Sequence, residues 1–415
     1  MESLSTEVKE KDIEEGIKLD CGVIYSKDGT RLLHYTNYDN HNAESYIIRE
    51  GTQIICNSAF TSSKLKRVIL PDSIIAIGDN AFQDCNYLKD INIPETLLSI
   101  GRNAFSDCWS LEDFYIPDSV KYIKENPFLR CYNLNLRRLS SKHFRVIDQM
   151  LIDHRGLLIS CVNDTNIICI PNGVTAIGDN AFDDLSTNEV VIPNSVTSIG
   201  RFAFYGCTLL SKVKFPDSLV SIGDYAFAEC HTLIDLNLSD LEIKIGYWAF
   251  SHCYSLKRIK LPKSFDHINI NPFVGCYNHN MQVCIPCQAK YYLIDHMLID
   301  FDGILISCFK DCENIVIPNC VRSIGKYAFY ECKSLKSVYI PDSVKTIEDF
   351  AFADCESLTS ITIPKGVTYI GDYAFSRECV ESDIKIFLND STNFNPKSSG
   401  IGLFSGNIIL INRNY

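Results

Sequence analysis

From about residue 22 to residue 380, apolar and polar positions recur in one fixed order, and LKDINIPETLLSIGRNAF, Leu88 to Phe105, shows a single pass of it. Leu88, Ile91 and Ile93 fall on the inward side of a short strand, whose period of two sends Asp90 and Asn92 outward. Pro94 ends that strand by removing a donor and fixing φ. The same proline stands at Pro71, Pro117, Pro193, Pro216, Pro262, Pro341 and Pro364, with Ser239 its one substitute inside a run. A second extended piece ends at Ile-Gly, where glycine is expected to allow a turn that a Cβ would resist. Asp or Arg then opens an expected short helical turn whose Ala and Phe face inward, giving three corners per pass.

Aligned on Ile-x-x-x-Ala/Pro-Phe, the leading isoleucines are Ile55, Ile77, Ile100, Ile123, Ile177, Ile199, Ile222, Ile245, Ile268, Ile324, Ile347 and Ile370, at steps of 22 or 23 within runs. A period in that range predicts a repeat solenoid, in which each coil buries its apolar side only against its neighbours. One elongated repeat domain is expected rather than several globules. A longer period of 147 residues separates Met150 from Met297 and Pro171 from Pro318. GVIYSKDGTRLLHY, from Gly22, carries an Asp-Gly hairpin signal, and related text returns as MLIDHRGLLISC and MLIDFDGILISC. Three blocks follow, about 21–145, 146–292 and 293–380, after a polar leader over 1–20 and before a C-terminal cap over 381–415. The first two blocks close on Asn126-Pro127-Phe128 and Asn271-Pro272-Phe273. The gaps in register that follow are too apolar for flexible linkers, so packing is expected to continue across them.

Units such as LKSVYIPDSVKTIEDFAFADC (Leu335–Cys355) and LTSITIPKGVTYIGDYAFSREC (Leu358–Cys379) resemble the bacterial surface-antigen, BspA-type, leucine-rich repeats. The resemblance covers nearly everything from residue 22 to 380. It implies a right-handed solenoid with a parallel sheet, used by members as a protein-binding surface and, in secreted members, as an adhesin for host matrix proteins. It supplies no catalytic residue.

Composition narrows the partner. A formal charge of −12 argues against a nucleic-acid partner, which needs phosphates neutralised. No apolar run reaches the 18 residues of a membrane-spanning helix. The first twenty residues, MESLSTEVKEKDIEEGIKLD, lack an apolar signal core. Cytoplasmic residence is therefore expected of the chain as it stands, and the cell surface or secretion if it is the trimmed part of a longer one. A monomer without a cofactor is expected. Nine of the 19 cysteines keep the repeat register: Cys85, Cys108 and Cys131 are 23 apart, as are Cys207, Cys230, Cys253 and Cys276, then Cys332 and Cys355. One thiol per coil reads as a buried ladder of free thiols rather than a disulfide scaffold.

Candidate chemistry is thin. Asp153-His154 and Asp295-His296 are adjacent pairs, and neighbours on a strand face opposite ways, which rules against a triad. Cys284 and Cys287, with Cys308 and Cys312, offer four thiolates near one junction, so a metal- or thiol-dependent enzyme or redox sensor is the alternative reading, set against packed thiols. The favoured reading is non-enzymatic recognition of a protein by the outward face of the strands before the proline: Asp90, Asn92, Asp113, Tyr115, Lys212, Lys214, Asp235, Asn237, Arg258, Lys260 and Tyr339. In-register stacking would alternate the signs of Lys212, Asp235 and Arg258, which also suits plain charge neutralisation on a solvated sheet. An aromatic set, Phe202, Tyr225, Tyr247, Trp248, Tyr327, Phe350 and Tyr373, precedes the Ala-Phe pairs as packing or as contact surface.

Overall fold

In the computed structural model each pass of the pattern closes one coil of a β-solenoid. The structure describes residues 5–19, 22–36, 44–137, 141–162, 164–238, 242–265, 270–278, 281–310, 312–377, 384–389 and 408–413. Ser239, Ile268, Cys379 and most of the expected cap lie outside the described residues. The chain forms two compact units, Met1–Thr187 with Ser195–Tyr205, and Asn188–Asn194 with Gly206–Tyr415.

Two strands per coil build two parallel ladders. In the first unit the Ile-Gly strands Ile54–Ile55, Ala76–Ile77, Ser99–Ile100 and Tyr122–Ile123 stack in register, each isoleucine opposite the next. In the second unit Ile222 pairs with Ile245, and Ile324, Ile347 and Ile370 form another such series. The strands before the proline pair in parallel too, but in groups of two or three. Arg67–Ile69 bonds to Ser45–Ile47 and Asp90–Ile91. Asp113–Phe114 pairs with Asn135–Leu136 in a separate ladder.

The glycine of Ile-Gly is needed for a different reason than expected. Neither Gly101 nor Gly246 has a positive φ. A Cβ on Gly101 would lie 2.4 Å from the carbonyl carbon of Gly78 and 2.5 Å from Asp79 N, and one on Gly246 would lie 2.4 Å from Asp224 N. Close approach of one coil's backbone to the next excludes the side chain.

The Ala-Phe corner also departs from expectation. It is a run of turns, not a helical one, and two of its residues are left-handed: Asn80 and Asp84 have φ of 56° and 57°, and Asn103 and Asp107 repeat this at 50° and 57°. A right-handed helix would consume its N–H groups internally; this backbone aims alternate ones at the next coil. Asn80, Phe82 and Asp84 donate to the carbonyls of Arg102, Ala104 and Ser106 at 2.8, 2.7 and 3.0 Å. The strand segments point their donors the other way, Gly78 to Ile55 and Lys89 to Lys66, both at 2.8 Å. Each coil is thus hydrogen-bonded forward at its corner and backward along its strands.

Beneath the corners the phenylalanines stack. Phe60, Phe82 and Phe105 are fully buried, with ring centroids 4.9 and 5.2 Å apart and planes within 8°. Phe227 and Phe250, and Phe329 and Phe352, repeat this in the second unit at 5.5 and 4.9 Å. The expected thiol ladder runs beside them, and every described cysteine is free. Cys85, Cys108 and Cys131 donate S–H to the carbonyls of Phe60, Phe82 and Phe105, in the preceding coil, at 3.1, 3.1 and 2.9 Å. Cys253, Cys276 and Cys355 do the same to Phe227, Phe250 and Phe329. Cysteine suits the place because it is a small apolar side chain with one weak donor.

Asn-Pro-Phe marks where the 23-residue register stops. Phe128 N–H, which in an ordinary coil would reach the next coil's alanine carbonyl, is taken by Asn126 Oδ1 at 3.1 Å, while Asn126 Nδ2 donates to Asn180 O at 2.7 Å. Asn271 repeats both bonds with Phe273 and Tyr327, at 2.9 and 3.0 Å. Proline keeps the preceding asparagine out of the helical region, and neither Asn126 nor Asn271 is left-handed. Across the first gap one buried cluster runs on from Phe128 and Leu136 to Phe144, Leu151 and Val162.

The expected hairpins form, Val23–Tyr25 with Arg31–Tyr35, Met150–Asp153 with Leu157–Cys161, and Met297–Asp300 with Ile304–Cys308. Each has a further strand that the sequence reading did not place: Ile17–Lys18, Phe144–Ile147 and Tyr291–Ile294. The last two are joined by two-residue turns, Asp148-Gln149 and Asp295-His296, with all four φ between 46° and 65°. The leader carries a short helix, Glu10–Glu14, and Val8 and Ile13 pack on Leu33, Ile54, Cys56 and Ala76.

Gly101→Ala is expected to lower stability by about 1–3 kcal/mol in urea unfolding, the range for forced overpacking, although its φ suits alanine; an unchanged midpoint contradicts the close-approach reading. Burial pushes the Cys131 thiol up to about 12 and that of Cys56 to about 11. Thiol labelling at pH 8 read by mass spectrometry should therefore modify Cys169, Cys284, Cys287 and Cys320 in the native protein and the ladder thiols only in urea. Native labelling of Cys108 at the rate of Cys284 contradicts the ladder.

Candidate protein-binding face

The outward side of the strands before the proline is set by pleating. Val68, Ile91, Phe114, Val213, Leu236 and Ile259 are buried, so their neighbours in each strand point away from the core. Of the nominated residues, all are exposed except Asp235, which is half-buried.

In the first unit most of these side chains are occupied by their own neighbours. Asp90 receives Arg67 Nε at 2.9 Å. Asn92 accepts from Leu70 N at 2.7 Å and donates to Leu70 O at 2.8 Å, so its amide extends the ladder by one rung. Asp113 accepts from Asn135 Nδ2 at 3.3 Å and lies 3.7 Å from Arg137. Tyr115 is exposed, and burial together with Glu95 and Asp118 raises its hydroxyl pKa.

In the second unit the alternation expected of Lys212, Asp235 and Arg258 is replaced by two closed pairs. Lys212 reaches Glu189 Oε1 at 2.7 Å, and Arg258 grips Asp235 at both oxygens, 2.7 and 2.5 Å. The Arg258 hydrogen bonds hold the Asp235 carboxyl below its usual range. The ladder breaks between Lys212–Lys214 and Asp235–Asn237, which separates Lys212 from Asp235. Lys214 and Lys260 are exposed and enter no ion pair among the described residues. Exposed pairs of this sort are screened by water and contribute little to stability, so they keep the face neutral more than they hold it together.

Sequence reasoning nominated Tyr339 on this face but missed the apolar side chain beside it, Val316. Val316 and Tyr339 are direct register partners on adjacent strands, 66% and 61% exposed. Ile47 and Ile167 are exposed likewise on the strands that open this ladder after the other hairpins. The strand–proline text that locates these strands, IVIPN for Val316, is legible, but the face was read only from strands inside the 23-residue runs.

Of the aromatic set before Ala-Phe, all but Tyr247 occupy the first left-handed position of the corner. Phe350 stacks between Tyr327 and Tyr373, centroids 5.0 Å apart on both sides, and Trp248 packs edge-on to Tyr327 at 5.2 Å. These rings cover one another, with the rims of Tyr247 and Tyr373 exposed. Such stacking offsets the cost of holding a bulky residue at positive φ, on the order of 1–3 kcal/mol.

The remaining candidates are dispersed. Asp153 Oδ1 accepts from the amides of Arg155 and Leu157, which makes it a turn-former with His154 exposed beside it. Asp295 and His296 are the two turn residues of a hairpin and not strand neighbours, because aspartate tolerates the left-handed region that such a turn demands. Cys284 and Cys287 are exposed, Cys308 is buried and bonded to Lys310 O, and Cys312 is half-buried against Asn314 O. Among the described residues no three His, Cys, Asp or Glu side chains are placed to hold a metal ion. Nor is any described helix long and apolar enough to cross a membrane.

Among curated proteins none matches the chain. Solved structures similar to it include a leucine-rich repeat protein from Eubacterium ventriosum, 19% identical, covering 88% of this chain and 96% of its own, TM-score 0.48. Another, from Bacteroides ovatus, is 20% identical over 95% of this chain and 90% of its own, TM-score 0.38. A leucine rich cell surface protein from Faecalibacterium prausnitzii is 25% identical over 95% and 94%, TM-score 0.37. Residues 31–154, 159–282 and 303–396 match the family described as the BspA type leucine rich repeat region, in 6 copies. Those stretches take in nearly all the coils, with their proline, Ile-Gly, Ala-Phe and cysteine positions, and the chain belongs to the BspA-type leucine-rich repeat family.

Proposed function

We propose that the chain is a non-enzymatic scaffold that recognises another protein through the exposed face of the strands before the proline, in the manner of an adhesin. The observation that carries this reading is the Val316–Tyr339 pair, two large apolar side chains exposed side by side on adjacent strands of this face. A rigid aromatic on regular structure loses little conformational freedom on binding, which is why tyrosine anchors interfaces. The pairing of Lys212 with Glu189 and Arg258 with Asp235 adds support, since a partner laid on this face buries few uncompensated charges. Lys214 and Lys260 supply open cations for acidic groups of the partner. The dispersal of the Asp-His pairs and junction cysteines supports the non-enzymatic part.

Proteins captured by the wild type should be released by Val316→Ser with Tyr339→Ala, at a loss of about thirtyfold in affinity, the 2 kcal/mol of an interface anchor. Circular dichroism should show the coils intact. Lys214→Gln with Lys260→Gln should weaken capture more than Lys212→Gln with Arg258→Gln. Equal capture by all three variants contradicts the use of this face.

A further inference from the structure

The second left-handed position of the corner stacks into a column of side chains. In the first unit it reads Ser62, Asp84, Asp107, Arg130 and Asp184, and in the second Glu229, His252, Gly275, Glu331 and Asp354. Each gap in register sets a cation into this acidic column. At the first gap Arg130 lies 3.9 Å from Asp107 on one side and 3.4 and 3.7 Å from Asp183 and Asp184 on the other. At the second gap the place of Arg130 is taken by Gly275, and His252, from one coil earlier, reaches past it. A Cβ on Gly275 would lie 2.4 Å from His252 Cδ2, so the bare glycine opens the path.

His252 Nδ1 is 2.7 Å from Glu229 Oε1 and Nε2 is 3.1 Å from Glu331 Oε2, a residue 79 positions later. Ionised carboxylates only accept, and a neutral imidazole has one N–H. Both contacts are therefore hydrogen bonds only when the ring is the imidazolium. Around them, His231 Nε2 holds the other oxygen of Glu229 at 2.7 Å, and Lys333, paired with Glu356 at 3.1 Å, acts on Glu331. Tyr254 and Trp248 pack their rings 5.7 and 6.2 Å from the imidazole.

We propose that His252 is a pH-operated latch across the second gap: as imidazolium it ties the coil ending at Cys253 to the coil ending at Cys332, and as neutral imidazole it keeps the shorter bond to Glu229 and lets Glu331 go. Burial lowers the pKa of His252, but hydrogen bonds and charge from Glu331, then Glu229, outweigh burial and leave it raised. Glu331 is lowered chiefly by its hydrogen bond to His252, against burial. The latch is accordingly complete below the ordinary histidine value of about 6.5 and is lost as pH rises through the raised one. At the acid end it persists below 4.5 until Glu331 protonates at its lowered value. The first gap differs. Arg130 stays charged, and burial pushes Asp183 up to about 6, so rising pH ionises Asp183 and strengthens that ion pair where the same rise releases the latch.

The test is an NMR titration of the histidine ring protons, with His252 assigned from the His252→Gln spectrum. Hydrogen exchange of peptides 270–278 and 324–332 between pH 6 and 9, corrected for intrinsic rates, accompanies it. His252 should titrate above 6.5, and protection of both peptides should fall across that titration by ten raised to the difference between its pKa in the wild type and in Glu331→Gln. In Glu331→Gln the His252 pKa should drop and the fall in protection should vanish. His252 titrating at or below 6.5 in the wild type, or the same pH dependence in wild type and Glu331→Gln, overturns the latch. The wild-type titration decides the matter even if a variant misfolds.

Discussion

The structure depends on where the corner amides point. A chain that turns three times in 22 or 23 residues exposes many backbone groups to its neighbours, and buried N–H groups must find acceptors. Left-handed residues at Asn80 and Asp84, and at their equivalents, turn alternate corner N–H groups toward the following coil. Strand amides face the preceding coil. Coils are thereby joined over two sides of their circumference, and the stacked phenylalanines and thiols fill the space beneath. The bond from Cys108 to Phe82 O belongs to the same logic, a weak donor placed on a carbonyl with spare capacity.

This arrangement accounts for the devices at the gaps. A corner that donates forward needs a coil in front of it, and at residues 126–128 and 271–273 the next coil in register is absent. Asparagine closes the orphan amide of Phe128 or Phe273 with its own side chain and spends its other end on the coil that follows the hairpin. Proline alongside favours extended backbone at that asparagine, and neither Asn126 nor Asn271 takes the ordinary left-handed corner conformation. The cations Arg130 and His252 then neutralise acidic side chains that would otherwise repel across the same gap.

Much of this was legible in the sequence because a repeat writes each physical requirement many times. The strand ending at Pro94, the leading isoleucines and the cysteine register each recur often enough to separate core from surface. Glycine at 101 was legible as a constraint but not as to its cause, since close approach and positive φ select the same residue. The corner was misjudged because phenylalanine, tyrosine and tryptophan occupy the left-handed site in later coils, where only asparagine signals it. On the candidate face, alternation identified the exposed positions, but not the break in the ladder that parts Lys212 from Asp235. Asn92 reads as a surface amide, yet it bonds to the backbone of Leu70. The contact of His252 with Glu331 joins residues far apart in the chain through an empty glycine site, and nothing local announces it.

The most direct measurement of the central claim is hydrogen exchange at the corner amides of Phe82, Phe105 and Phe227. Their segments are turns, and turns open to solvent exchange rapidly. If the corners donate to following coils as described, these amides will be protected as strongly as those of the Ile-Gly strands. Exchange near the rate of an unstructured chain, with the strands still protected, would contradict the account.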